Sequence, residues 1–111
     1  MIEVVFEQED GLLVAFSSKG HAQAGDPGED IVCAAVSALL FSVVNTLEHY
    51  HAMLDVKMGA KGFLRCELKE GYRDKEIQAI LQVAKIGISG IVQEYSEFIS
   101  MDIIDRRIMS C

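Results

Sequence analysis

Ile2-Glu3-Val4-Val5-Phe6-Glu7-Gln8-Glu9-Asp10-Gly11-Leu12-Leu13-Val14-Ala15-Phe16 opens the chain, and its pattern sets the fold class. Ile2, Val4 and Phe6 alternate with Glu3, Val5 and Glu7, the period of a half-buried strand. Glu9-Asp10-Gly11 is a tight-turn signal, because Asp-Gly tolerates the positive φ that hairpins demand. Leu12 to Phe16 is the returning strand.

A glycine-rich loop follows, and its single proline, Pro27, is read as lying outside any helix. Asp30 is the candidate N-cap, its carboxylate able to accept from free backbone N–H groups. From there an apolar run extends towards Leu47 and ends around His49-Tyr50-His51. The second half repeats this order of elements without visible sequence similarity. Met53 to Met58 and Phe63 to Lys69 read as strands joined by the turn Gly59-Ala60-Lys61-Gly62. Asp74 can cap a helix whose apolar positions, Ile77, Ile80, Leu81, Ala84, Ile88, Ile91, Val92 and Tyr95, draw one buried stripe. Gly87 and Gly90 weaken that helix by about 1 kcal/mol each relative to alanine, so close packing against a neighbour is expected there. A last strand covers Ser100 to Ile108. The expected architecture is an α/β fold of the α+β type, in the order ββαββαβ. Two helices lie on one face of a two-layer, largely antiparallel sheet.

Size and composition bound the function. The 111 residues are read as one domain, 1–111. Half the residues are hydrophobic, which hints at apolar surface covered by a second copy. Ten basic against 17 acidic residues give a formal charge of -7, which opposes phosphate backbones and argues against direct nucleic-acid binding. The same charge attracts a basic protein or peptide. Three irregularly spaced cysteines make no disulfide framework, so a reducing cytoplasm is expected. Met1 to Glu7 lacks the basic start and long apolar stretch of a signal peptide. The run Ile31 to Val44, interrupted by Ser37 and Ser42, falls short of the roughly 20 residues that cross a bilayer. It reads as a buried core helix, with no membrane partner.

Chemistry concentrates in Gly20-His21-Ala22-Gln23-Ala24-Gly25-Asp26-Pro27-Gly28-Glu29-Asp30-Ile31-Val32-Cys33. A thiol is a useful nucleophile only as thiolate, and a helix N-terminus and a nearby imidazole both favour that form. If Asp30 caps the helix, Cys33 is its third residue, where backbone N–H groups stay unpaired and can hold the oxyanion of an attacked carbonyl. Cys33 is equally readable as a small core residue beside Ile31 and Val32; position and loop together tip the balance to the nucleophile. His21, twelve residues earlier, can fold back to the sulfur or stay in solvent as a loop histidine. The small residues Ala22, Ala24, Gly25 and Gly28 suit a loop that closes over an extended peptide, and suit an ordinary flexible loop as well. Asp30 has three candidate jobs: cap, orienter of His21, or electrostatic element. Ser37 shares the helical face of Cys33, either near the thiol or bonded back to a carbonyl one turn earlier.

Rival constellations are weaker. The loop lacks the Gly-Lys-Ser/Thr ending of a phosphate cradle, and Asp26, Glu29 and Asp30 would repel the anion. His49 and His51 are two residues apart and point in different directions on a helix, so no metal site is expected. Cys66 reads as packed in a strand and Cys111 as incidental.

Gly20-His21-Ala22 followed by Gly28-Glu29-Asp30-Ile31-Val32-Cys33-Ala34-Ala35-Val36-Ser37 resembles the signature of the ribosomal-processing cysteine protease family, known as Prp. The similarity runs the full length and extends to the element order. It implies a cytoplasmic bacterial endopeptidase that removes a short N-terminal extension from a large-subunit ribosomal protein precursor. It also implies a homodimer, no cofactor, and His21 and Cys33 as the catalytic pair, with Gly20, Asp30 and Ser37 at further motif positions. Two other functions remain open from the residues alone. One is a non-catalytic peptide-binding module of ribosome assembly; the other is a cysteine amidase acting on a small molecule.

Overall fold

The computed structural model describes residues 1–20, 27–60 and 62–106, and for 27–29 the backbone only. Strands β1 (Ile2–Glu9) and β2 (Leu12–Lys19) precede helix α1 (Pro27–His49). Strands β3 (Leu54–Met58) and β4 (Leu64–Leu68) then precede helix α2 (Lys75–Glu94), and β5 (Ile99–Asp105) follows. The expected order ββαββαβ is therefore observed. The sheet order is β3-β4-β2-β1-β5, with three antiparallel pairings and one parallel pairing, β1 with β5.

Local chemistry accounts for each junction. Asp10 and Gly11 take φ 54° and 76°, the two left-handed residues that the first hairpin demands. Between Glu7 and Gln8 the register slips, so Val14 is an extra residue on β2. Beyond it β4 no longer pairs with β2, and Gln78 of α2 takes over. Its amide accepts from the Leu13 N–H at 3.0 Å and donates to the Leu13 and Tyr72 carbonyls, each at 2.8 Å. Helix α1 ends at His49 and is closed by His51, in the left-handed region at φ 62°, with the His51 N–H donating to the Glu48 carbonyl and the Ala52 N–H to that of Leu47. Asp74 caps α2 as expected, accepting from the N–H groups of Glu76 (2.8 Å) and Ile77 (3.1 Å).

Two rows of side chains face the helices: Phe6, Phe16, Cys66 and Val56, then Val4, Ser18, Leu64 and Met58. Both helices pack on this face in one core, α1 through Val32, Val36, Leu40, Val43, Val44 and Leu47, and α2 through Ile77, Leu81, Ala84 and Ile88. Gly87 is the close approach of the two helices, because a Cβ there would stand 2.7 Å from Leu39 Cδ2. Gly90 has open space around it, so the compensation expected at both glycines exists at Gly87 alone. Another expectation changes too. Asp30 to His49 is long and apolar enough to cross a bilayer, so length does not mark this stretch as a core helix. The stripe it buries against the sheet does.

The opposite sheet face is charged. Glu7, Arg65, Glu67 and Arg106 form one ion-pair network there, with Arg106 Nε 3.0 Å from Glu7 Oε1 and Arg65 bonded to the same carboxylate. The Arg65 hydrogen bond holds the Glu7 carboxyl below its ordinary value, against the opposing effect of burial and with help from Arg106. Ala15 lies between Glu7 and Glu67 in register and is fully covered.

Candidate active site

The last residue of β2 hands the chain to Gly20, which explains itself. Its φ is +95°, and a Cβ there would collide with the Met1 carbonyl oxygen. Only glycine lets the chain leave the sheet at this point. His21, Ala22 and Gly25 lie outside the described residues, as does Cys111.

Helix α1 begins earlier than expected. Pro27 is its first residue, a position where a missing N–H and a fixed φ cost nothing. Asp30 is therefore the fourth residue of the helix and not its N-cap, and Cys33 is the seventh and not the third. The Cys33 N–H belongs to the regular i→i−4 ladder, and among the described residues the N–H groups that the ladder leaves without a helical acceptor are those of Gly28 and Glu29. Helix geometry still sets the Cys33 side chain over the turn that precedes it. Side chains lean towards the N-terminus, and Glu29 and Asp30 precede Cys33 by four and three positions, on the same face.

Cys33 is half-buried, packed on the edge of the core between fully buried Val32 and buried Val36. That intermediate exposure separates it from Cys66, whose thiol burial pushes up to about 11, with the Glu48 charge adding to the effect. Asp30 is exposed. Ser37 is exposed as well, and among the described residues its hydroxyl makes no bond back along the helix, unlike Ser42 to Ala38 O and Thr46 to Ser42 O. Ser37 instead stands on the wall of a cavity of about 130 Å³. Val36, Leu40, Phe41, Met58, Phe63 and Leu64 give that cavity its apolar lining, and Ser18 faces it from β2. Sequence reading passed over it, although strand parity already puts Ser18 on the core face with Phe16. His49 and His51 close the far end of α1, about 24 Å along the axis from Cys33. They share no site with it.

The residues 1–100 match the family model described as cysteine protease Prp. The chain belongs to that family. It is 30% identical over 95 residues to a ribosomal processing cysteine protease Prp of Staphylococcus aureus, covering 85% of this chain and 90% of that one. The fold is that of the solved Staphylococcus aureus ribosomal processing protease Prp in complex with a substrate peptide. The TM-score is 0.84 at 30% identity, over 93% of this chain and 99% of that one. The same enzyme with a covalently linked product peptide gives a TM-score of 0.82 at 31% identity, over the same shares of both chains.

Proposed function

We propose that this chain is a cysteine endopeptidase that removes the short N-terminal extension of a large-subunit ribosomal protein, with Cys33 as nucleophile and His21 as its base. The observation that carries the reading is the half-buried thiol one turn inside α1, at the sheet end where Gly20 releases the segment bearing His21. His21 takes the Cys33 proton, and the thiolate attacks the scissile carbonyl. A C–S bond forms as the C–N bond breaks, and His21 gives its proton to the departing amine. Water then hydrolyses the thioester and frees the thiol. The unpaired first-turn N–H groups, those of Gly28 and Glu29, are the donors that stabilise the oxyanion. Asp30 assists by orienting His21, and the small residues Ala22, Gly25 and Gly28 let the loop close over the peptide.

A relative captured with a covalently linked product peptide supports acyl-enzyme chemistry in the family. The charge of -7 supports a basic ribosomal protein as substrate, because opposite fields speed encounter. Exposed Ile31, Val83 and Ile86 on the outer side of the helical layer support a homodimer. Incubation of the purified protein with the precursor, followed by intact mass, tests the function. Loss of the N-terminal extension is expected, and an unchanged precursor mass beside a catalytically competent relative sinks the reading.

A further inference from the structure

Ser18 is the one buried polar residue among the described residues, 4% exposed, and its hydroxyl has no hydrogen-bond partner among them. Its row on the sheet is otherwise apolar: Val4, Leu64 and Met58. A buried hydroxyl left unpaired is costly, and valine would fill the same place in a strand without that cost. The serine does two things that valine would not. It leaves open the cavity of about 130 Å³ beneath α1, and it puts a donor and acceptor on the floor of an apolar chamber.

The chamber lies next to the chemistry. Ser37 on its wall is four residues from Cys33, about 6 Å along the helix. An extended peptide advances roughly 3.4 Å per residue, so a side chain within about two residues of the scissile bond reaches it. An apolar cavity of roughly 150 Å³ accepts a benzene ring, and this one is of that size, rimmed by Phe41, Met58 and Phe63.

We propose that this cavity is the subsite for one apolar side chain of the bound peptide, and that Ser18 sets its specificity. The small side chain sets the depth, and the hydroxyl favours a side chain with a polar tip, tyrosine over phenylalanine. The inference rests on the peptidase reading for the identity of the ligand. Neighbouring Val36, Leu40 and Leu64 offer the occupant no polar group; Ser37 offers a hydroxyl from the exposed wall, and Ser18 supplies the one at the buried floor.

The test uses the full-length protein and its Ser18→Val and Ser18→Ala variants, with two readouts. One is kcat/KM for peptides built on the ribosomal precursor sequence, with Ala, Leu, Phe or Tyr placed in turn at the two residues on each side of the scissile bond. The other is binding of toluene and of p-cresol, followed through NMR shifts of Val36, Leu40 and Leu64, which needs no turnover. At one position Ser18→Val should cut the Leu-to-Ala and Phe-to-Ala ratios at least roughly tenfold, since one methylene in such a pocket is worth about 10–200-fold. It should also abolish toluene binding. Ser18→Ala should keep those ratios and lower the Tyr-to-Phe and cresol-to-toluene ratios roughly 2- to 10-fold, the worth of one hydrogen bond. Equal ratios in all three proteins, or toluene shifts unchanged by Ser18→Val, overturn the inference and leave the peptidase reading standing. If no peptide is cleaved while Ser18→Val still abolishes toluene binding, the peptidase reading fails and the Ser18-floored site stands. Should Ser18→Val fail to fold, the Ser18→Ala ratios decide.

Discussion

The chain builds β-β-α twice, and its two strand-to-helix junctions differ in what they spend their residues on. The second runs from β4 through Gly71, at φ +78°, to α2 at Lys75. Asp74 uses one carboxylate oxygen to satisfy two N–H groups, and Gln78, the fourth residue of α2, ties the helix to the backbone of β2. The first runs from Gly20, at φ +95°, to α1 at Pro27, and carries His21 and Cys33 on either side of the helix start. Counting from each helix start, Cys33 and Leu81 are both the seventh residue. Leu81 is buried in the core, whereas Cys33 sits at its edge. The two connections are nearly equal in length, 69–74 and 20–26. The one serving stability is closed by its own side chains, and the one proposed to serve chemistry leaves the seventh residue of its helix within reach of solvent.

Truncating the two seventh residues should break this pair apart with the largest effects. Cys33→Ala is expected to abolish precursor cleavage while leaving the thermal midpoint nearly unchanged, because alanine is small and the strongest helix former. Leu81→Ala should cost roughly 2–5 kcal/mol of stability through the cavity it leaves, with the folded fraction still cleaving. His21→Ala belongs with Cys33 and should slow single turnover by roughly two to four orders of magnitude. Cleavage by Cys33→Ala at the wild-type rate would remove the thiol mechanism.

How much of this contrast is legible in the sequence follows from where each signal comes from. Alternation in Ile2 to Glu7, Asp10-Gly11 and the Asp74 cap are local effects, and the structure has all three. The start of α1 is misread because Pro27 and Gly28 look like loop, yet proline is at home in the first helical position. That four-residue error moved Cys33 from the first turn to the second. The parallel β1–β5 pairing, the Gln78 tie and the Ser18 cavity join residues far apart in sequence, and no local pattern announces them. His21, the other half of the candidate pair, rests on sequence alone, its loop setting and spacing from Cys33 together with the motif resemblance.

The two left-handed glycines offer a sharper, smaller comparison. An alanine at position 20 meets the Met1 carbonyl as well as an unfavourable φ, while at position 71 the nearest atom is Ile77 Cδ1 at 4.0 Å. Gly20→Ala should therefore lose more stability than Gly71→Ala, which pays only the backbone strain of about 1–3 kcal/mol. Chemical denaturation of both variants checks the order. Equal losses would mean that the N-terminal residue yields freely, and that Gly20 is needed for its φ alone.

The two aspartates at the helix starts come next. Asp74→Ala should cost about 1 kcal/mol, the usual worth of an N-cap, with Asp74→Asn or Asp74→Ser restoring most of it. Asp30→Ala, four residues into α1 and exposed, should cost only a few tenths of a kcal/mol from the helix dipole. Turnover lost in Asp30→Ala at unchanged stability would keep its carboxylate as the partner that orients His21. Stability lost at both aspartates to the same degree would restore Asp30 as a cap.

The gentlest contrast is between the thiols of the two halves. Burial keeps the Cys66 thiol protonated up to about 11, against an ordinary 9.0, with the Glu48 and Asp55 charges acting the same way and Arg65 opposing them. Iodoacetamide at neutral pH should therefore label Cys33 and spare Cys66 in the folded chain, as read by mass spectrometry of the digested peptides. The raised value also fixes the sign of a pH effect. Below 9.0 both the folded and unfolded chains hold the Cys66 proton, and its contribution to stability is fully present. Between 9.0 and about 11 the unfolded chain releases that proton first, so stability declines across this window. Cys66→Ala should flatten that part of the stability curve relative to wild type. A slope as steep in Cys66→Ala as in wild type would place the alkaline sensitivity elsewhere, and prompt labelling of Cys66 at neutral pH would show that the second half opens as readily as the first.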